Sequence, residues 1–309
     1  MIAMRPSVTR GRRPSLLSIL GGWLLLWLLP IAHAQSSGHA LPLWQIDGTG
    51  NRIWLLGSVH MLRESDHPLP AAFYDAYQNA DALIMELDVT TVDPVATQAM
   101  VNELGMIQDG RRLGDLLGES DYSEALGLAE RINIPLAMLA GAEPWLAAVT
   151  IDVLMLTRLG FSPANGVEMR FAERAADDGK AISGLETERQ QLEMLDGLSA
   201  AAQRDLLLQT LAEGEDVESA MNELVDSWRR GDSAQLESGL LQDIRKYPEI
   251  YQAILVRRNE NWVGQITELL DDRQDYLIIV GAMHLVGDDG LPSLLQKKGI
   301  AVSQLRQSE

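Results

Sequence analysis

The stretches IWLLGSVHML (residues 53–62) and YLIIVGAMHLVG (residues 276–287) share one arrangement, an apolar run followed by Gly-x-x-His. Short apolar runs that are bounded by glycine are typical of strands buried on both faces of a sheet. A side chain that follows such a strand emerges at the edge of the sheet, where α/β proteins bind their ligands. The two runs therefore predict two core strands that place His60 and His284 at a ligand-binding edge.

The rest of the chain alternates between strand and helix patterns. Residues 43–88 have the pattern strand, strand, helix, strand, and the turn DGTGN at 47–51 predicts a hairpin between the first two strands. Helices are expected over most of 94–175 and 187–272, a short apolar segment at 180–186, and the last strand at 276–281. This alternation predicts an α/β or α+β fold with one mixed sheet that is covered by many helices.

Capping residues indicate where several helices begin. The signals are Asp93 before Pro94, Asp121 with Glu124, and Thr187 with Gln190. The segment EPWLAAVTIDVLMLTRL (143–159) is apolar nearly all round, which predicts a helix buried on most sides. Its length of 17 residues and its Asp152 argue against a membrane span.

The first 34 residues have the pattern of a secretion signal. Four arginines precede an apolar run at 16–29, and the small-x-small site Ala32-His33-Ala34 follows. Cleavage after Ala34 is expected, with an uncleaved membrane anchor as the alternative, and the product would be periplasmic or secreted. Residues 35–309 contain no Gly/Ser/Pro-rich linker, which predicts a single domain. A faint internal duplication is suggested, because each half pairs one Gly-x-x-His strand with one strand that ends in glutamate, Glu86 or Glu186.

Charge and composition exclude several classes of function. Without residues 1–34 the chain has 21 basic and 44 acidic side chains, a formal charge of −23. Such an acidic surface repels phosphate, so nucleic acid is not an expected partner. The chain has no cysteine, which excludes disulfides, thiolate metal sites and cysteine nucleophiles. The sequence does not indicate an oligomeric state.

A carboxylate and a cation complete the candidate site. Glu86 ends the apolar strand LIMEL, where an unpaired charge is costly, so it needs a partner or a function. Arg257 and Arg258 lie in a predicted helix shortly before the second Gly-x-x-His strand. Simpler interpretations are a salt bridge for Glu86, hydrogen-bonded structural roles for the two histidines, and a solvated basic pair on an amphipathic helix. His67, in SDHPLP, is expected in a loop.

These blocks together resemble the TraB/GumN family, which is similar to the TIKI metalloproteases of animals. WLLGSVHMLRESDHPLP resembles the opening block, LIMELD the glutamate strand, GLETERQQLEMLDGL the middle block, RRNENW the arginine block and VGAMHLVGDDGLPSLLQKKGIAV the closing block. The resemblance covers nearly all of the chain after residue 34. It implies functional positions at His60, Glu86, Arg258 and His284. The family tends to show Gly-hydrophobic-Asp where this chain has Gly166-Val167-Glu168, so no geometric role for Glu168 follows.

The resemblance implies peptide hydrolysis that depends on a divalent metal, with manganese or cobalt as the implied ion. We expect His60 and His284 to bind the ion with help from Glu86, and Arg258 to stabilise the oxyanion. Whether Glu86 is a ligand or a general base stays open. With so few nitrogen ligands, manganese fits at least as well as zinc, and the absence of His-Glu-x-x-His argues against a zincin-type protease.

Two other functions are compatible with the same residues. One is a periplasmic binding or interaction protein without turnover. The other is a metal-free hydrolase in which a histidine is the general base, as a resemblance to erythromycin-esterase-like folds would imply.

Overall fold

A mixed six-stranded sheet forms the centre of the molecule. The structure is a computed structural model that describes residues 39–307. The strands are β1 (Ala40–Asp47), β2 (Arg52–Ser58), β3 (Ala82–Met85), β4 (Ile182–Gly184), β5 (Tyr276–Gly281) and β6 (Val302–Arg306). Their order across the sheet is β4-β3-β5-β2-β1-β6.

The four strands that carry candidate residues all run in the same direction. β2 and β3 flank β5 and are parallel to it, and β4 is parallel to β3. The hairpin partner β1 is antiparallel to both β2 and β6. Ser58 at the end of β2 lies opposite Gly281 at the end of β5. The carboxyl ends of these parallel strands therefore meet at one edge, as the two Gly-x-x-His motifs predict.

Helices occupy most of the chain between the strands. They are α1 (Ala71–Asn79), α2 (Pro94–Leu104), α3 (Leu113–Leu117), α4 (Glu119–Arg131), α5 (Pro144–Arg158), α6 (Val167–Asp178), α7 (Glu188–Asp196), α8 (Ala200–Glu213), α9 (Val217–Arg229), α10 (Ser233–Leu241), α11 (Pro248–Tyr251), α12 (Arg257–Leu269) and α13 (Leu291–Lys297). A π-helical turn, Gln252–Val256, joins α11 to α12. Short 3₁₀ helices lie at Glu64–Asp66, Leu136–Leu139, Pro163–Asn165, Ile244–Lys246 and Ala282–Leu285.

Alternate side chains of the strands enter two different cores. On one face Leu56, Leu83 and Ile279 pack among residues of α1, α6, α9 and α10. On the other face Leu55, Ile84 and Ile278 pack against α12 and α13. Burial on both faces explains why these strands have almost continuous apolar sequences. The described residues thus form a single α/β domain, and a separate apolar cluster holds α3, α4, α5 and α8 together.

Two of the three predicted helix starts are confirmed. The carboxylate of Asp93 accepts hydrogen bonds from the backbone N–H groups of Val95 and Ala96. Thr187 and Gln190 form the predicted capping box. The prediction for Asp121 is wrong, because α4 already begins at Glu119 and Asp121 lies within its first turn.

The structure also corrects the description of segment 143–159. α5 buries only one side, and Val149, Val153 and Leu154 on its other side are exposed. α5 is therefore buried on one side and exposed on the other, although its composition is apolar on both sides.

The prediction that the last strand is 276–281 is also wrong. β6 follows at the edge of the sheet, where its side chains are half-buried or exposed and give no apolar run. Between residues 39 and 307, no helix combines the length and the apolarity that a membrane span needs. The proposed signal, residues 1–34, lies outside the described residues, and the suggested duplication stays a prediction.

Candidate active site

All four residues implied by the resemblance meet at the carboxyl edge of the sheet. His60 follows β2, His284 lies in the 3₁₀ turn after β5, and Glu86 follows β3. Arg258 reaches them from the second residue of α12. The central spatial prediction, that the two histidines share one edge although they come from opposite ends of the chain, is confirmed.

Glu86 is an ionised, buried carboxylate whose negative charge is balanced by the groups around it. Its Oε1 accepts a hydrogen bond from the backbone N–H of Gly281 at 2.6 Å, and its Oε2 lies 2.5 Å from Nη2 of Arg258. Burial alone would raise the pKa of Glu86, but the charges that His284, His60 and Arg258 can carry, together with the Gly281 N–H, lower it to about 2. A negative charge is therefore maintained at the centre of the site.

Arg258 joins two strands through their glutamates. Besides Glu86, its Nη2 binds Oε1 of Glu186 at 2.5 Å, and its Nε donates to the same oxygen at 3.0 Å. The Arg258 side chain is 14% exposed and both glutamate side chains are 8% exposed. The interpretation of Arg257 and Arg258 as a solvated pair is therefore wrong for Arg258, and it describes only the exposed Arg257.

His284 is neutral, and its tautomer follows from its two neighbours. Nη1 of Arg258 can only donate, so Nε2 of His284 accepts that hydrogen bond at 3.1 Å. The proton then resides on Nδ1, which donates to Oδ1 of Asn259 at 2.6 Å. Burial lowers the pKa of His284 to about 3, and its ring lies 4.5 Å from the Trp262 ring. The imidazole is thus held by α12 on two sides.

His60 differs from His284 in both exposure and charge. Its side chain is 62% exposed, and its Nδ1 lies 2.7 Å from Oε1 of Glu168. The same carboxylate oxygen accepts the hydroxyl of Ser58. The negative charge of Glu168 and its hydrogen bond to Nδ1 raise the pKa of His60 to about 9. His60 is therefore cationic at neutral pH when nothing else binds it.

Glu168 reaches His60 because Gly166 allows two backbones to approach. A methyl group at Gly166 would lie 2.1 Å from the carbonyl oxygen of His60. This contact brings the first turn of α6 against the end of β2, where the N–H of Val167 donates to the carbonyl oxygen of Val59. Glu168 then lies in the first helical turn, buried beside His60.

We expect Glu168→Gln to lower the pKa of His60 from about 9 towards its ordinary value of 6.5, because the amide removes the negative charge. The histidine Cε1–H signals, followed by NMR from about pH 5 to pH 10 in metal-free protein, would give this value. Glu173→Gln makes the same charge change on an exposed face of α6 and should leave the titration unchanged. An unaltered pKa in Glu168→Gln would contradict the pairing.

The sign of this shift also determines how the pair affects stability. Because the pKa of His60 is raised on folding, its interaction with Glu168 stabilises the protein fully below about pH 6.5. That contribution is lost as the pH rises through about 9. The difference in unfolding midpoint between the protein and Glu168→Gln should therefore diminish at high pH.

Gly281 leaves a small gap between the exposed histidine and the central carboxylate. A methyl group on Gly281 would lie 3.2 Å from Oε1 of Glu86 and also 3.2 Å from Nε2 of His60. Nε2 of His284 lies 3.8 Å from the same Glu86 oxygen. One imidazole nitrogen and one carboxylate oxygen thus flank this position, the second imidazole contacts the same carboxylate, and each histidine has its Nδ1 bound to a side-chain oxygen.

The donor atoms, two imidazole nitrogens and a carboxylate oxygen, are of types that divalent metals bind. Histidines that bind metals usually donate their other ring N–H to an oxygen acceptor, as His60 and His284 do here. In the present geometry, however, Arg258 takes Nε2 of His284 and one oxygen of Glu86. Within residues 39–307 no three histidine, aspartate or glutamate side chains converge as a metal-binding group. The residues fit a metal in type, and Nη1 of Arg258 must leave His284 before all three donors can share an ion.

Three supporting residues were noticed in the sequence, but it assigned none of them a partner in the site. They are Glu168, which binds His60; Glu186, which binds Arg258; and Asn259, which binds His284. Asn259 lies next to Arg258 in RRNENW, so that block carried its signal. Nothing in the segment Gly166-Val167-Glu168 shows that α6 packs against the end of β2, so the sequence alone does not pair Glu168 with His60.

The chain is similar to known sequences along most of its length. The sequence profile of the TraB/PrgY/gumN family matches residues 42–304. Two proteins named uncharacterized protein YbaP, from Escherichia coli (strain K12) and Shigella flexneri, are each 24% identical over 266 residues, which cover 86% of this chain and 96% of theirs. No solved structure matches the chain at a significant level.

Proposed function

The chain belongs to the TraB/PrgY/gumN family, and on this premise we propose that it is an exported, metal-dependent hydrolase that acts on peptide bonds. One observation carries the proposal. Two histidines with anchored Nδ1 atoms lie near an ionised, buried glutamate: Nε2 of His284 is 3.8 Å from a Glu86 oxygen, and Nε2 of His60 faces the same oxygen across the gap at Gly281. A purely structural cluster has no need of an exposed, charged imidazole at this edge.

His60, His284 and Glu86 would hold the ion, with manganese, cobalt or zinc as candidates. When bound, the ion would supply a Lewis acid that lowers the pKa of water. Glu168 and Asn259 would keep one proton of each imidazole on Nδ1, so both Nε2 lone pairs would become available once His60 loses its other proton and Nη1 of Arg258 leaves His284. Arg258 stays fixed to Glu86 and Glu186 through Nη2 and Nε. Its Nη1 is then the N–H that can stabilise an oxyanion.

The bond between Arg258 and His284 supports a second candidate, a metal-free hydrolase. In that arrangement Arg258 itself would supply the positive charge beside Glu86, Glu86 would accept a proton from the attacking water, and cationic His60 would donate a proton to the leaving group. A third candidate is a binding protein without turnover, which an experiment must distinguish from the two hydrolases. The predicted signal supports export to the periplasm or the medium. The resemblance to the TIKI metalloproteases supports peptides or proteins as substrates.

A metal titration combined with a hydrolysis assay separates these functions. The purified protein is stripped with a chelator, loaded in turn with Mn²⁺, Co²⁺ and Zn²⁺, and analysed for bound metal by mass spectrometry. A quenched-fluorescence peptide library reports hydrolysis. We expect about one ion per chain and hydrolysis only after loading. Hydrolysis by stripped protein would favour the metal-free candidate, and bound metal without cleavage of any peptide would favour the binding protein.

We expect Gly281→Ala to lower kcat/KM about 100-fold, since displacement of reacting groups by as little as 1 Å can cost this much. The backbone at Gly281, with φ −50° and ψ 138°, accepts alanine, so the effect comes from the methyl group in the gap. Gly264→Ala on α12 is the control, because its methyl group would meet open space. Full activity in Gly281→Ala would show that the gap is not used.

A further inference from the structure

An apolar cavity opens directly beside His60. Its volume is about 260 Å³, and Ser58, His60 and Gly281 of the candidate site form part of its lining. The remaining walls come from α5, α9, α10 and the turn after β5. We call it the apolar pocket, and its principal side chains are Leu156, Met221, Leu224, Leu240 and Met283.

The lining of the apolar pocket is unusual for a surface that faces only water. All five principal side chains pack against the core on one side and are only half-buried. His60 is the only charged or titratable side chain in the lining that the described residues provide. Large apolar side chains gathered around one opening expose surface that a ligand can remove from water. The pocket therefore favours an uncharged, apolar group.

The position of the pocket relates it to the reacting atoms. His60 and Gly281 line the pocket, and the same two residues flank the gap next to Glu86. A substrate whose carbonyl group lies at the gap would therefore place its neighbouring substituent in the pocket. The volume is below that of pockets for whole drug-sized ligands, which begin at about 300 Å³. It suits one side chain.

We infer that the apolar pocket is the specificity site for a peptide residue next to the scissile bond, and that it selects large, uncharged side chains such as leucine, methionine or phenylalanine. This inference rests on the proposed hydrolase function and adds its substrate class. Two of the walls are Met221 and Met283, whose unbranched thioethers adapt to different shapes. The affinity of the pocket should therefore rise with the apolar size of the side chain and depend little on its shape.

The test uses the methionine methyl groups as reporters. Purified metal-free protein with ¹³C-labelled methionine methyl groups is titrated with N-acetyl amino-acid amides that carry glycine, alanine, leucine, methionine, phenylalanine or glutamate side chains. Met221→Leu and Met283→Leu assign the signals. We expect both methyl groups to shift, with affinity that rises about fourfold for each added methylene group. The glycine and glutamate amides should bind least.

Two opposite variants make the result specific to the pocket. Leu224→Trp fills the cavity and should abolish the shifts, whereas Leu224→Ala enlarges it and should increase the advantage of phenylalanine over leucine. Leu126→Trp, on the exposed surface of α4, is the matched control and should change nothing. Equal binding of all six amides, a preference for glutamate, or shifts that persist in Leu224→Trp would overturn the inference.

This readout is independent of metal and turnover. If the amides bind in the expected order but no peptide is cleaved, the pocket assignment stands as a binding specificity and the hydrolase proposal fails. If peptides are cleaved but the Leu224 variants do not change which side chains are preferred, the hydrolase proposal stands and the pocket assignment fails.

Discussion

Arg258→Ala should lower the free energy of unfolding by about 3–5 kcal/mol, the cost of breaking a buried ion pair by removing one partner. Arg258 compensates two carboxylates, Glu86 and Glu186, each only 8% exposed. Removing the guanidinium leaves two buried negative charges next to each other. For a domain of this size the melting temperature should fall by about 10 °C, as measured by circular dichroism.

The neighbouring arginine provides a matched control. Arg257 is exposed, so Arg257→Ala should change the unfolding free energy by no more than about 0.5 kcal/mol. Arg258→Lys should recover only part of the loss, because an ammonium group cannot reproduce the fork that binds both glutamates. Adding Glu186→Gln to Arg258→Ala should restore part of the stability, since it removes one of the two unpaired charges.

The pH dependence of this loss is a further check. In the unmodified protein the pKa of Glu86 is lowered to about 2, so its interactions stabilise the fold above about pH 4.5 and are lost as the pH falls through about 2. Without Arg258 the pKa of Glu86 should rise, because one of the positive charges that lower it is removed. The difference between Arg258→Ala and the unmodified protein should therefore be largest near neutral pH and smaller at about pH 4. A difference independent of pH would show that Arg258 stabilises through packing alone.

The sequence predicts the site's central residues because their signals are local. Apolar runs that end in Gly-x-x-His locate β2 and β5, and the direction of parallel strands places His60 and His284 at the same edge. Glu86 is predicted by the same logic, since a carboxylate within an apolar strand needs compensation. These three positions follow from strand patterns and required no knowledge of the helices.

The surrounding contacts depend on tertiary packing and are not readable in this way. Arg257 and Arg258 look alike in sequence, and only the orientation of α12 after the π-helical turn buries one and exposes the other. Glu168 binds His60 only because α6 approaches β2 through Gly166. β6 is an edge strand without an apolar run. Its strand conformation is stabilised by backbone pairing with β1, which its composition does not indicate.

His60→Ala should reduce kcat/KM for peptide hydrolysis by at least about 1,000-fold and abolish metal binding, if His60 is a ligand of the ion. Its side chain is 62% exposed, so the loss of packing is small. His39→Ala is the matched control, since His39 is exposed in the segment that precedes β1. Activity would be measured with the best peptide from the library and metal by mass spectrometry on the same samples.

His60→Ala also leaves Glu168 without its charged partner. A second substitution, Glu168→Gln, separates this effect on stability from the loss of activity. Without His60, Glu168 keeps its bond to Ser58 but loses the neighbouring positive charge, which should lower stability. The double variant His60→Ala with Glu168→Gln should regain that stability while staying inactive and metal-free. If activity returned together with stability, His60 would have only a structural role. If metal stayed bound in both variants, the ion would lie elsewhere, and Glu86 and His284 would no longer form a site with His60.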